Sequence, residues 1–129
     1  MRLTVARRVA GEAKCTATYV KLLEDLSRHG HLASGVPGKP SSRILAAGFL
    51  DYRMIRMSLD MPLPGDAWHA ELAAAQLCDA LRDGLGADPR MLSGRLAVLV
   101  DLAGDGEQAA ASLRGSGYTV TMNNADIIS

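Results

Sequence analysis

The chain has 129 residues, 48% of them apolar and only 4% aromatic. That is the size of a single domain, whose core must be built from Leu, Ala, Val, Ile and Met rather than from stacked rings. Lys and Arg balance Asp and Glu at 14 each, which excludes a uniformly basic or acidic tail-like protein. No run approaches the roughly 18 apolar residues of a membrane span, and Arg2, Arg7, Arg8 and Glu12 occupy the stretch where a secretory leader needs an apolar core; a cytoplasmic protein is expected.

Taken in chain order, Thr4 to Ala13 reads as a helix, Lys14 and Cys15 as a tight break, and Thr16 as the N-cap of a second helix ending at His29 and Gly30. Val9, Ala10, Cys15, Val20 and Leu23 are spaced to meet where the two helices cross. A loop-rich stretch from Ser34 to Ser42 follows. Tyr52 to Met61 alternates with period two, as a strand does. Pro62 to Asp66 marks the clearest boundary, and Asp66 can cap a helix that carries Leu72, Ala73, Leu77, Ala80 and Leu81 on one side up to Gly84.

Asp88 and Pro89 open a further predicted helix, with Leu92, Leu96, Leu99, Val100 and Ala103 on one face and Gly104 as its stop. A rival reading makes Leu96 to Leu102 a strand and the tail a βαβ unit; the Asp-Pro start and the helical spacing favour the helix. A short helix after Asp105, ended by Gly115 or Gly117, and a strand over Tyr118 to Met122 complete the chain. The expected fold class is mostly α with a small β component. It divides into a basic region over 1–61 and an acidic helical region over 62–129 within one compact domain.

The neutral total conceals a charge split. Residues 1 to 56 hold ten bases and four acids, a net +6, and residues 57 to 129 hold the reverse, a net −6. Clustered Lys and Arg gain from displacing counterions on phosphate, so the front half points to an anionic partner.

The segment TVARRVAGEAKCTATYVKLLEDLSRHGHL, followed by ASGVPGKPSSRIL, resembles the helix-turn-helix and wing of bacterial winged-helix repressors of the MarR-like type, over roughly residues 4 to 46. The resemblance implies double-stranded DNA as partner and transcriptional control, in a prokaryote or its mobile element, as the role. Thr16, Ala17, Thr18 and Lys21 would then read bases or nearby phosphates, while Arg7, Arg8, Lys39, Ser41, Ser42 and Arg43 hold the backbone. It also implies a homodimer, with the acidic C-terminal half as a dimerisation or partner surface. Two features depart from the family: Lys14 stands where the turn usually has Gly, and only three residues precede the first helix.

Other chemistries find little support. Cys15 and Cys78 lie far apart with no CxxC, and read as buried thiols. His29 and His31 form an HxH without a third ligand, and His69 sits in a first helical turn beside Asp66. Gly35 to Ser42 lacks the spacing of a Walker loop, and Asp101, Asp105 and Glu107 occupy helix-end positions that favour acids without any cation. No nucleophile–base pairing stands out, so no catalytic residue, metal or cofactor is assigned. The alternative to DNA binding is a small non-enzymatic adaptor or inhibitor that binds another protein through its apolar helices and charged ends, of the kind phages and plasmids encode.

Overall fold

A computed structural model describes residues 1–30, 42–50, 57–85, 93–102 and 106–123. Within them the chain forms β1 (Arg2–Val9), α1 (Glu12–Gly30), β2 (Arg43–Phe49), β3 (Met57–Pro62), α2 (Ala67–Leu85), β4 (Gly94–Asp101), α3 (Gly106–Gly115) and β5 (Thr119–Asn123). The strands make one antiparallel sheet in the order β3-β2-β4-β1-β5.

This corrects the expected mostly α class and the winged helix-turn-helix front. The fold is α+β around a five-stranded sheet. The stretch Thr4 to Ala13 contributes most of strand β1 and no first motif helix. Lys14 and Cys15 lie inside α1 rather than in a turn. The predicted helix after Pro89 is replaced over Gly94–Asp101 by β4, the rival reading of that segment. The proposed wing lies partly outside the described residues, and its end, from Arg43, belongs to β2.

The physical reason is the same for both misread strands. In β1, Val5 and Val9 stand four apart, as on a helix, yet Leu3, Val5 and Val9 also share one face of a strand, and all three are core residues. In β4 the run Leu96 to Val100 is buried on both faces, since Ala97 and Leu99 are buried as well as Leu96, Val98 and Val100. A doubly covered strand shows no alternation, so the run fits either structure by pattern alone. The β-branched valines and the inner positions of both strands in the sheet decide for extension.

Each helix is a crossover between parallel strands that leaves one antiparallel strand in the gap. α1 joins β1 to β2 around β4, α2 joins β3 to β4 around β2, and α3 joins β4 to β5 around β1. These are split βαβ units. α1 packs against both α2 and α3, so the helices form a layer with α1 at its centre. The core fills the space between layer and sheet, with Tyr19, Leu22, Leu23 and Leu26 of α1 set against Val5, Phe49, Leu96 and Val98. Strand β4, from the acidic half of the sequence, therefore lies between β1 and β2 of the basic half.

Local chemistry sets the helix ends. Gly11, at φ 84°, makes the turn from β1 into α1, a conformation that a side chain resists. Asp66 caps α2 as expected, accepting from the His69 N–H at 2.8 Å. Gly117, at φ 96°, closes α3, with the N–H groups of Gly117 and Tyr118 donating to the Arg114 and Leu113 carbonyls. No helix among the described residues is long and apolar enough to cross a membrane.

Candidate functional site

At the end of the sheet where β1 runs out and α1 begins, a cleft of about 620 Å³ opens at the surface. Its walls come from three places. β1 supplies Arg7 and Arg8, α1 supplies Lys14, Ala17, Thr18 and Lys21, and the start of β4 supplies Ser93 and Gly94. Positions 14, 17, 18 and 21 are spaced three and four apart, which puts them on one face of the helix. That face borders the strand end because the Gly11 turn folds α1 back against β1, and the Gly11 N–H donates to Ser93 Oγ at 3.3 Å to tie the turn to β4.

The electrostatics of the cleft are one-sided. Among the described residues, four bases line it and no acid does. Arg8 and Lys14 make no ion pair among the described residues, and Arg8 stands directly opposite Arg95 in the β1–β4 register. The positive end of the 19-residue α1 lies beside the cleft, and Glu12 of its first turn is paired with Arg82. Thr18 and Ser93 bring hydroxyls that donate to oxygen.

Behind the cleft a buried network fixes two of the bases. Asp25 is 2% exposed and accepts a hydrogen bond from the Tyr118 hydroxyl at 2.6 Å. Its other oxygen meets Lys21 at 3.3 Å and Arg28 at 3.6 Å. Arg7 lies over the Tyr118 ring, 5.3 Å from its centre. Burial, then the hydrogen bond to Asp25 and its charge, push the Tyr118 hydroxyl well above its ordinary range, so it stays protonated and donating. Lys21 and Arg7 are thus held from below by this network at the wall of the cleft.

Comparison with protein-family models, with curated proteins and with solved structures found no match to this chain.

Of the residues assigned to DNA from sequence, five line this cleft: Arg7, Arg8, Ala17, Thr18 and Lys21. Thr16 instead turns toward α2, where its hydroxyl bonds to the Cys78 thiol. Ser42 is fully buried and its carbonyl accepts from the Leu63 N–H. Arg43 is bound to Asp60 of β3, 2.5 Å from its carboxylate and 3.1 Å from its carbonyl, toward the other edge of the sheet. Lys39 and Ser41 lie outside the described residues, as does His31 of the HxH pair. Lys14 and Ser93 are the cleft residues that sequence reasoning missed. Lys14 was readable from its i, i+3, i+4, i+7 relation to Ala17, Thr18 and Lys21; nothing local marked Ser93.

Proposed function

We propose that this protein binds duplex DNA through its phosphates, with the backbone seated in the cleft between the end of β1 and α1, and acts as a non-enzymatic regulator. The observation that carries this is the set of four basic residues lining one concavity that no acid among the described residues lines. The lining favours a duplex over a single strand, since no aromatic ring among the described residues lines the cleft to stack an unpaired base. It favours binding over catalysis, since no His, Cys or carboxylate among the described residues lines the site. In this reading Arg7, Arg8, Lys14 and Lys21 neutralise phosphates, and Thr18, Ser93 and the first N–H groups of α1 donate to their oxygens. One such cleft spans few phosphates, so a homodimer is the expected working form, checked by light scattering.

The test is fluorescence anisotropy of a random-sequence duplex across a salt series. Four phosphate contacts give a slope of log K against log salt of about −3.6, and Lys14→Ala and Lys21→Ala each reduce it by about 1. No binding at low salt removes the proposal. A second reading, a protein-binding adaptor, draws on Trp68 and Leu72 of α2, which are 65% and 44% exposed, with Leu72 on the border of a second groove of about 500 Å³ that Met61 and Leu63 also line. Trp68→Ala then abolishes capture of a partner while leaving duplex binding unchanged.

A further inference from the structure

Cys15 and Cys78 are 63 residues apart in sequence, yet their sulfurs stand 3.0 Å from one another across the packed faces of α1 and α2. Neither lines the basic cleft, and both are buried, at 0% and 1% exposure. Hydrogen-bonded thiols this close need a shift of only about 1 Å to reach disulfide bonding distance.

Their surroundings make the two sulfurs unequal. At Cys78 the hydrogen bond shared with Cys15, a bond from the Thr16 hydroxyl and the positive charge of Arg82 together outweigh burial and hold the thiol below its ordinary range. Cys15 is pushed up by the same shared bond and by burial. Arg82 is kept in place by Glu12 of α1 and, at 3.3 Å, by Asp79, and its buried Nε has no acceptor among the described residues. The site thus holds a thiolate-prone sulfur, a thiol in contact with it, and a cation beside both.

We propose that Cys15 and Cys78 form a peroxide-reactive dithiol that closes to a reversible intramolecular disulfide across the α1–α2 interface. The Cys78 thiolate attacks one oxygen of hydrogen peroxide; the O–O bond breaks, a sulfenic acid forms, and the departing hydroxide takes the proton Cys78 gave up and leaves as water. The Cys15 sulfur then attacks the Cys78 sulfur. The S–O bond breaks, the S–S bond forms, and the Cys15 proton leaves with the hydroxide as a second water. Two thiols lose two electrons and two protons, and one peroxide becomes two waters. Cys78 is the attacking residue and Cys15 the resolving one.

The test treats the purified full chain with hydrogen peroxide, denatures it, alkylates free thiols with iodoacetamide and weighs the intact protein. The expected product is a monomer lighter by two hydrogen atoms, unalkylated, restored by dithiothreitol, and yielding a linked Cys15–Cys78 peptide on proteolysis. Cys15→Ser is expected to stop at a Cys78 sulfenic acid that dimedone captures. Should that variant fail to fold, the wild type in urea serves instead: the native chain closes at least about tenfold faster, because the fold holds the sulfurs together. Alkylation at both cysteines, oxygen gained without an S–S bond, only intermolecular dimers, or closure no faster than in urea overturns the proposal.

Discussion

Replacing Tyr118 by Phe removes one hydroxyl and keeps the ring, so it isolates the bond to Asp25 without opening a cavity. Tyr118 is 4% and Asp25 2% exposed, and the hydroxyl donates to Oδ2 at 2.6 Å. Lys21 and Arg28 both serve Oδ1, so Oδ2 loses the partner described for it and stays buried. A hydrogen bond to a buried charged group contributes about 2 kcal/mol, which for a chain of this length lowers Tm by about 7 °C. Urea titration at neutral pH measures it. A pH series supplies an independent check, because the Tyr118 hydroxyl titrates above its ordinary 10.0 in the fold. A folded value above the unfolded one means the contribution is fully present below pH 10 and is lost as pH rises beyond it. The wild type should therefore lose its advantage over Tyr118→Phe in that alkaline range. A difference under about 0.5 kcal/mol at pH 7, or one that does not narrow above pH 10, refutes the network as described.

Closing the Cys15–Cys78 loop is expected to raise unfolding free energy by about 4 kcal/mol on chain-entropy arithmetic for 63 residues, read as the urea midpoint with and without dithiothreitol. Asp66→Ala is expected to lower Tm through loss of the α2 cap, and Asp66→Asn to lower it less. The His69 N–H and ring hold the Asp66 carboxyl below its ordinary range, so its contribution is present above pH 3.8 and fades as pH falls through the folded value; thermal melts in acid follow it. Arg43→Ala, away from the cleft, is expected to leave the salt slope of DNA binding unchanged in the anisotropy assay.

Helices with one covered face and a clear stop were legible in the sequence: the Asp66 cap, the leucine spacing up to Leu81 and the glycines after Arg114 place α2 and α3 within a few residues. Strands β1 and β4 were not, because inner strands enclosed on both sides lose the alternation that identifies a strand. The candidate site was legible in part. Arg7 and Arg8 were grouped with Lys21 on a supposed pair of helices, whereas a strand end and a helix bring them together. Lys14 escaped notice because it was placed in a turn. The approach of Cys15 to Cys78 depends on α1 packing against α2, which no local spacing encodes.

The position of β4 between β1 and β2 governs how the chain can acquire its structure. During synthesis, β1 emerges before its partners β4 and β5, whose paired residues lie 85 or more positions downstream (Val9 with Gly94 being the nearest). Until β4 arrives, only the β2–β3 hairpin can pair, and β1 waits as an unsatisfied apolar edge. Such long-range closure makes folding slow and leaves nascent or truncated chains prone to associate. A chain stopped before Gly94 lacks the strand that joins β1 to β2, and with it one wall of the basic cleft.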